Sequence, residues 1–448
     1  MSRRFDVVIV GGGPAGVITA LTARRYYPEK SVVVIRDRQR GIIPCGIPYM
    51  FHSLEKPVQN EMGYGMFEEH NIQEIQGKAS AIHPEKREIE TEESEVIGYK
   101  KLVLATGSTP VIPPIDGADL DGVYPIKKDL DYMMDLVRNV ESAENVVIVG
   151  GGFIGVELAD EIADIDGVQV HLIEILPELL GNSFDPEFAR LVEQRLLAKG
   201  VKVYKNTRLE QFTGNGRISG ARLNNNETIP ADYAIFGIGA KPNTRLAEQA
   251  GLRLFGDSGI WVDEYLRTSH EHIFAVGDCV VKRDFFTRDK TPVMLASTAT
   301  AEARIAGANL YKLKVVREIK GTIAIYATYV DGLVLGSAGL TEQSARAEEF
   351  EIIVGRAESP DKHPGKLPNT HTCRVKLVFS GDSETILGGQ VAGGPSCGEM
   401  INTIGTAIQK RMSRAEFETL QMATHPYLTA APTKYPLVIA AQNASPVK

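Results

Sequence analysis

One cysteine and two glycine-rich turns hold the residues of this sequence that could do chemistry. Cys45 lies in the stretch GIIPCGIPYM, between Pro44 and Gly46. A cysteine thiolate is a nucleophile, and its sulfur can cycle between reduced and oxidised forms. The glycine turns read GGGPAG from Gly11 and GGGFIG from Gly150. Such turns approach phosphates closely, so the sequence combines a candidate redox thiol with two candidate nucleotide sites.

Both glycine turns have the sequence context of a dinucleotide-binding unit. Each follows a run of β-branched residues, opens a helical pattern and is followed by a second strand pattern, SVVVIRD in one case and VQVHLIE in the other. This order is the βαβ unit that binds a dinucleotide. Three glycines of each turn have separate tasks, which are the tight turn (Gly11, Gly150), the approach of a pyrophosphate (Gly13, Gly152) and close packing of helix on strand (Gly16, Gly155).

The position of Cys45 suggests how its thiol could become reactive. Only the thiolate is a good nucleophile, and a free cysteine is mostly protonated at neutral pH. Pro48 suits the first turn of a helix, and a helix that begins there would place Cys45 at its positive end. The other cysteines are Cys279, Cys373 and Cys397, and we interpret them as structural, with Cys397 the least secure of the three.

The end of the second strand of the second unit predicts the choice of nicotinamide nucleotide. Glu174 ends that strand, in HLIEIL. A carboxylate there accepts a hydrogen bond from the ribose 2′-hydroxyl and repels a 2′-phosphate. We therefore expect NADH, with NADPH less favoured.

Composition limits the remaining classes of function. The 448 residues are enough for two or three domains, and the net charge of −8 without a basic block argues against a nucleic-acid or anionic-membrane partner. The first strand pattern begins within five residues, and no apolar run could span a bilayer, so we expect neither a signal peptide nor a membrane segment. The scattered cysteines predict no disulfide framework and no metal site, which favours a reducing cytoplasm.

The order of motifs along the whole chain resembles one family. GGGPAG, ATGSTP, GGGFIGVE, GIGAKPNT and FAVGDC occur in that order. The sequence resembles the pyridine nucleotide–disulfide oxidoreductases, which are flavoproteins with two dinucleotide sites. The resemblance implies an α/β fold with two Rossmann-like domains and a C-terminal α+β domain that forms a homodimer. Its expected limits are 1–109 and 239–320 for the FAD domain, 110–238 for the NAD(P)H domain and 321–448 for the dimerisation domain.

The resemblance also assigns cofactor contacts. It implies that Thr106 and Gly107 lie near FAD, that Asp278 holds the ribityl chain and that Phe153 covers the flavin until the nicotinamide displaces it. It places at the cofactors a further set of residues: Pro14, Ala15, Pro44, Ile154, Gly239, Gly277 and Ala296.

The stretch around Cys45 is similar to one branch of that family. Dithiol members carry a second cysteine where Met50 stands, so this sequence resembles the single-cysteine branch. The resemblance implies that electrons pass from NADH through FAD to Cys45 and then to a sulfur acceptor. It also implies an acid that protonates the leaving thiolate, and His425 and Tyr427, both in ATHPYLTAAP, are the candidates, with His363 weaker.

Two departures from the family pattern concern ligand recognition. Arg36 stands where the family has a ribose-binding glutamate, so Asp37 could replace it, or Arg36 could stack on adenine or touch a phosphate. Pro14 stands where peroxidases and water-forming oxidases have a histidine, which lowers those alternatives. Arg24 and Arg25 match a pair of arginines that meets coenzyme A phosphates in coenzyme A disulfide reductases.

The leading hypothesis is an FAD-dependent NADH oxidoreductase that acts on coenzyme A disulfide, coenzyme A persulfide or polysulfide. An NADH oxidase that makes hydrogen peroxide is the first alternative. A redox-sensing or electron-relay subunit is the second. A ferredoxin or rubredoxin reductase is disfavoured by the third domain.

Overall fold

A computed structural model describes residues 3–316 and 321–446. The predicted boundary at residue 320 and the two chain ends lie outside these residues. By the contacts along the backbone, the chain divides into two compact units. Unit 1 comprises Met1–Ile112, Pro125–Asn139 and Gly239–Thr322, and unit 2 comprises Pro113–Tyr124, Val140–Ile238 and Ile323–Lys448.

The described residues form α-helices with these bounds: α1 Pro14–Tyr26, α2 Gly65–Glu69, α3 Leu130–Val140, α4 Phe153–Ile162, α5 Pro186–Ala198, α6 Arg245–Gln249, α7 Ala296–Asn309, α8 Glu342–Ala347, α9 Ser396–Lys410, α10 Arg414–Glu418 and α11 Pro436–Gln442. Short 3₁₀ helices occupy Pro44–Gly46, Pro48–Met50, Pro57–Asn60, Gly256–Ser258, Gly277–Cys279 and Pro432–Lys434. None of the helices in residues 3–316 and 321–446 has the length and apolar character needed to cross a bilayer.

The first half of the described strands has these bounds: β1 Arg3–Val10, β2 Val32–Arg36, β3 Gly41–Ile42, β4 Glu61–Met62, β5 Gln73–Gln76, β6 Ala79–His83, β7 Glu88–Thr91, β8 Val96–Leu104, β9 Ser108–Pro110, β10 Val123–Pro125, β11 Asn145–Val149, β12 Gln169–Ile173 and β13 Lys202–Tyr204. The second half has these bounds: β14 Leu209–Gly214, β15 Ile218–Leu223, β16 Thr228–Pro230, β17 Tyr233–Phe236, β18 Ala240–Pro242, β19 Ile273–Ala275, β20 Lys282–Arg283, β21 Lys290–Thr291, β22 Ile325–Val330, β23 Leu333–Gly339, β24 Ile352–Pro360, β25 Thr372–Ser380, β26 Ile386–Gly393 and β27 Ser445–Pro446.

Unit 1 is built on a seven-stranded sheet of order β5-β2-β1-β8-β7-β6, with β19 also paired to β8. The pairs β1–β2, β1–β8, β2–β5 and β8–β19 are parallel, and β6–β7–β8 is antiparallel. Alternate residues of β1 enter two apolar clusters, Val8 in one and Val7 and Ile9 in the other. Both faces of this strand are therefore buried, which explains its uninterrupted run of β-branched residues.

Unit 2 contains a parallel sheet and an antiparallel one. The order β10-β17-β11-β12-β13 places β11 between the parallel strands β12 and β17. The antiparallel sheet has the order β22-β23-β26-β25-β24-β27, and α9 packs on β23 and β26. Residues of α9 that are three or four positions apart, such as Ile401, Ile404 and Ile408, are buried, as its helical spacing predicts. These sheets confirm the fold class, two Rossmann-like domains with a C-terminal α+β domain.

Candidate functional site

In unit 1, three predicted cofactor segments meet at one edge of the parallel sheet. The glycine turn follows β1, Thr106 and Gly107 follow β8, and Gly277 and Asp278 follow β19. Because β1, β8 and β19 are neighbours and parallel, their carboxyl ends lie at the same edge. The amide of Ala105 donates to the carbonyl of Val10 at 2.8 Å, which ties two of the segments together.

The first glycine turn has the shape that a bound pyrophosphate requires. Gly13 is the N-cap of α1, has no side chain to cap the helix, and a Cβ added there would meet nothing within 4 Å. By contrast, a Cβ on Gly16 would collide with the carbonyl oxygen of Gly11. Space is therefore open beside Gly13, where the first turn of α1 has N–H groups without an intrahelical acceptor, such as those of Ala15 and Gly16 after Pro14. The residues present thus fit the phosphates of FAD.

The carboxylate of Asp278 is held in its charged form. Its Oδ2 accepts from the Ser108 hydroxyl and from the Lys128 ammonium, each at 2.8 Å. Burial by itself would raise the pKa of Asp278, but the Lys128 charge and the hydrogen bonds lower it below its ordinary value. A carboxylate that stays charged is suited to accept hydrogen bonds from ribityl hydroxyls. Lys128 was not predicted from the sequence, where nothing distinguishes it from a surface lysine.

A buried ion pair holds the backbone of the Gly277 turn. The Gly277 amide donates to Glu302 Oε2 at 2.9 Å, and Lys282 Nζ donates to the Gly277 carbonyl at 2.6 Å. Lys282 also pairs with Glu302 at 3.0 Å, and the two side chains are 4% and 6% exposed. Gly277 has a φ of +79°, so this turn needs a glycine and a fixed backbone. One feature of the sequence points to this role, because Glu302 is the sole acid in the small-residue helix α7, which begins at the predicted Ala296.

Arg36 does not replace the missing ribose glutamate. Its guanidinium pairs with Glu74, donates to the carbonyls of Arg38 and Gln39, and stacks on the ring of Tyr64 with 4.2 Å to the centroid. The Tyr64 hydroxyl in turn donates to the carbonyl of Gly12 at 2.9 Å. Arg36 therefore braces the glycine turn through Tyr64, and its contact with adenine or a phosphate stays a prediction. The neighbouring Asp37 is exposed, and a ribose contact by Asp37 stays a prediction.

A helix does begin at Pro48, but it is a single 3₁₀ turn and not a longer helix. Residues 41–51 contain two single-turn 3₁₀ helices, and Cys45 lies inside the first of them, after Pro44. The reason is that Pro48 has no N–H to continue the turn that Pro44 begins. The thiol is exposed, and the helix that begins at Pro48 is only one turn long. The buried amide of Asn60 supports this loop by donating to the Ile43 carbonyl at 3.1 Å.

In unit 2, the second glycine turn repeats the geometry of the first. Gly152 is the N-cap of α4, and a Cβ added there would meet nothing within 4 Å, whereas a Cβ on Gly155 would collide with the Gly150 carbonyl. Glu174 follows β12 and is 7% exposed. Its two carboxylate oxygens accept from the amides of Gly151 at 2.6 Å and Leu176 at 2.7 Å. Each oxygen keeps a second lone pair, so a ribose hydroxyl can still donate to it.

Phe153 and Ile154 open helix α4, and Phe153 belongs to an aromatic group. Its ring stacks on Tyr326 with centroids 4.8 Å apart and lies 6.1 Å from Phe184. One helical turn later, Glu157 accepts from the Thr328 hydroxyl at 2.8 Å. Burial raises the pKa of Glu157 to about 7, with further contributions from the neighbouring acids of α4. No pattern in the sequence predicts a glutamate with so high a pKa.

The two arginines of α1 have different surroundings. Arg24 donates to the carbonyls of Pro28, Lys30 and Asn71. Its guanidinium therefore ties the end of the helix to the fold, and its contact with a substrate phosphate stays a prediction. Arg25 is exposed, and its contact with a substrate phosphate stays a prediction.

The predicted acids share one loop of unit 2. His425 and Tyr427 are exposed, and the Tyr427 amide donates to His425 Nδ1 at 3.3 Å. His363 packs against the same loop, because its amide donates to the Pro426 carbonyl at 3.0 Å and its Nδ1 lies 2.9 Å from the Thr429 carbonyl. The predicted Gly239 lies in unit 1, where its φ is +96° and its carbonyl accepts from the Val111 amide.

Comparison with known proteins agrees with this geometry. Residues 5–303 match the family described as pyridine nucleotide-disulphide oxidoreductase, and residues 325–435 match the dimerisation domain of the same family. An NADH oxidase of Methanocaldococcus jannaschii is 29% identical over 98% of both chains. An NAD(P)H sulfur oxidoreductase (CoA-dependent) of Pyrococcus abyssi is 30% identical over 86% of this chain and 87% of its own. The structure of an NAD-dependent persulfide reductase from A. fulgidus superposes with a TM-score of 0.90 and 30% identity, covering 98% of this chain and 82% of that one.

The fold and the two glycine turns define an oxidoreductase with a flavin site and a nicotinamide nucleotide site. The chain belongs to the pyridine nucleotide–disulphide oxidoreductase family. FAD and NADH are the cofactors of this family.

Proposed function

We propose that the protein is an FAD-dependent NADH oxidoreductase that reduces a sulfur acceptor through Cys45. The observation that carries the proposal is the exposed Cys45 thiol on a loop of the unit that contains the first nucleotide turn. The sulfur oxidoreductase and persulfide reductase among the relatives support the same acceptor class. The acceptors we propose are coenzyme A disulfide, coenzyme A persulfide and polysulfide.

Different residues of the chain bind FAD and NADH. Gly13 and the first turn of α1 bind the FAD phosphates, while Asp278 accepts hydrogen bonds from the ribityl chain. Glu174 binds the ribose of NADH and disfavours the 2′-phosphate of NADPH. Bound FAD supplies the acceptor for the hydride of NADH and the route of electrons to sulfur.

Cys45 acts on the substrate, and the 425–427 loop of the partner in the homodimer supplies the acid. The Cys45 thiolate attacks one sulfur of the acceptor, and the second sulfur leaves as a thiolate. His425 or Tyr427 gives that thiolate a proton, and Arg25 pairs with a phosphate of a coenzyme A substrate. The dimerisation domain supports a homodimer. The four cysteines form no disulfide bond among the described residues, as expected in a reducing cytoplasm.

Anaerobic oxidation of NADH by the FAD-loaded enzyme tests the proposal. The acceptors are coenzyme A disulfide, coenzyme A persulfide, polysulfide and glutathione disulfide, each with the wild type, Cys45→Ser and the matched control Cys397→Ser. We expect one sulfur acceptor to be turned over by the wild type and the control, and its rate to fall roughly a thousandfold or more in Cys45→Ser.

An NADH oxidase is the second candidate, because the M. jannaschii relative bears that name. It predicts oxygen-dependent NADH consumption that is equal in the wild type and Cys45→Ser, without turnover of any sulfur acceptor. That result would contradict the Cys45 mechanism and support the NADH oxidase. Negligible turnover with every acceptor, together with a protein partner that co-purifies, would instead indicate an electron-relay subunit.

A further inference from the structure

Two cysteines outside the proposed catalytic site lie side by side in unit 2. Cys373 is on β25 and Cys397 is in the first turn of α9, and they are 1% and 0% exposed. The Cys397 thiol donates to the sulfur of Cys373, with 3.4 Å between the two Sγ atoms. A disulfide bond is about 2.05 Å long, so the two sulfurs would have to approach by only roughly 1.3 Å to form one.

The two thiols differ in their access to a cavity of about 270 Å³. Cys373 lines this cavity and Cys397 does not, so a reactant in the cavity meets Cys373 first. Thr429 and Ala430 form part of the cavity wall, directly after the loop that carries His425. Asp361 and Glu399 also line it, and their carboxylates disfavour an anionic reactant.

Cys279 shows what a structural thiol looks like in this chain. It is fully buried and donates to the backbone carbonyls of Val276 and Leu104, without a second sulfur as its hydrogen-bond acceptor. The neighbouring sulfur and the adjoining cavity thus separate Cys373 and Cys397 from an ordinary buried cysteine.

We propose that Cys373 and Cys397 form a second redox site, a dithiol that hydrogen peroxide converts to a disulfide. The sulfur of Cys373 attacks one oxygen of the peroxide, which breaks the O–O bond, releases water and leaves a sulfenic acid on Cys373. The sulfur of Cys397 then attacks that of Cys373 and displaces the second oxygen as water. Two thiols lose two electrons and two protons, and one peroxide becomes two water molecules.

The surroundings predict a slow reaction. The hydrogen bond with Cys397, together with burial, raises the pKa of the Cys373 thiol well above its ordinary value. The dithiol is therefore the resting form, and its oxidation accelerates as the pH rises because the thiolate is the reactive species. The resulting disulfide would link β25 to α9 beneath the 425–430 loop.

Oxidation of Cys45→Ser tests this site independently of the proposed function, because that variant lacks the proposed catalytic thiol. The folded variant is treated with hydrogen peroxide, its free thiols are alkylated, and tryptic peptides are analysed by mass spectrometry. We expect two of the three remaining thiols to be lost and peptides 367–374 and 377–410 to be joined by a bond that dithiothreitol cleaves. The half-time should shorten between pH 7 and pH 9.

A second variant identifies the thiol that reacts first. In Cys45→Ser/Cys397→Ala the sulfenic acid has no partner, so dimedone should label Cys373. Three free thiols after prolonged treatment of the folded Cys45→Ser protein would overturn the proposal. So would a cross-link that appears only in denaturant, or dimedone labelling of Cys279 in place of Cys373.

Discussion

The hydrogen bonds of one loop distinguish the chemistry of His425 from that of Tyr427. Nδ1 of His425 accepts from the Tyr427 amide, so the neutral imidazole carries its proton on Nε2. The carbonyl of His425 accepts from the amides of Leu428 and Thr429 at 3.0 Å each, which fixes the turn. The neutral imidazole therefore presents its Nε2–H as a hydrogen-bond donor in a defined direction, whereas transfer of a proton to the leaving sulfur requires its imidazolium form.

Substitution of the two candidate acids tests their roles. We expect His425→Gln to lower kcat with the sulfur acceptor by roughly 10²- to 10⁴-fold, because general-acid catalysis is lost. Tyr427→Phe keeps the ring and should change kcat by less than about threefold. Steady-state kinetics of both FAD-loaded variants is the measurement. The opposite order of effects would assign the acid to Tyr427.

Glu157 should make stability depend on pH. Its folded pKa of about 7 lies above its ordinary value of 4.5, so the folded state binds more protons than the unfolded state between these values. Stability that is present below pH 4.5 is therefore lost as the pH rises to about 7.

Glu157→Gln cannot ionise and still accepts from Thr328, so it should be increasingly more stable than the wild type as the pH rises. The gain should level off above pH 7 at on the order of 3 kcal/mol. Thermal unfolding of both proteins from pH 4.5 to pH 8.5 measures it. A difference in melting temperature that does not change with pH would contradict the raised pKa.

At the scale of elements, the turn between β19 and its 3₁₀ helix depends on α7. Glu302 of α7 binds the Gly277 amide, and Lys282 binds the Gly277 carbonyl, so one ion pair holds both sides of the same residue. Asp278 follows directly, and its direction is set by this turn. Lys282 and Glu302 are therefore positioning residues for the proposed FAD site.

Removal of one charge should destabilise this turn. Lys282→Met leaves Glu302 buried without its cation, which should cost about 3–5 kcal/mol and weaken FAD retention. The double variant Lys282→Met/Glu302→Leu should recover much of the stability. It should still bind FAD weakly, because the Gly277 amide and carbonyl lack their side-chain hydrogen bonds.

Chemical unfolding and fluorescence of released FAD measure the two effects, with the exposed Lys86→Met as the matched control. Unchanged FAD affinity in both variants would show that the Lys282–Glu302 ion pair stabilises the fold without positioning the FAD site.

At the scale of the whole molecule, a buried charge network holds α5 against the antiparallel sheet within unit 2. Lys376 of β25 contacts carboxylates of Asp185, Glu187 and Glu342 at 2.6 to 2.8 Å. These three acids are grouped closely enough to hold a metal ion, but the Lys376 ammonium lies among them and supplies the positive charge. Gln390 adds a donor to Asp185.

Lys376→Met should lower the free energy of unfolding by about 3–5 kcal/mol, because it leaves Asp185 buried and unpaired. Urea unfolding at pH 7 measures the change, with the exposed Lys366→Met as the control, which should change it by less than about 0.5 kcal/mol. The pKa of Asp185 is lowered, since the bonds to Lys376 outweigh burial. The wild type should therefore lose this contribution as the pH falls through that lowered pKa, and a Lys376→Met protein as stable as the control would contradict the argument.

The fold and the nucleotide turns follow from local sequence. Gly13 and Gly152 each follow a β-branched strand and precede a helical pattern. Few folds other than the dinucleotide-binding βαβ unit have this order, so residues within about 30 positions determine each unit. The meeting of Thr106 and Asp278 at one sheet edge also follows, because parallel strands end together. The short pattern around Cys45 also indicates the helix start at Pro48, although that helix is a single 3₁₀ turn.

The remaining features depend on residues that are far apart in the chain. Whether Pro48 begins an α-helix depends on Pro44 and on the bond that Asn60 makes to the loop, not on helix propensity alone. Lys282 and Glu302 are 20 residues apart, and Lys376 and Asp185 are 191 apart. The sequence by itself determined the nucleotide turns and the candidate thiol, because short local sequence patterns specify both. Only the tertiary structure decided which charges are buried together and that Cys373 lies against Cys397, because packing between distant segments sets burial and contact.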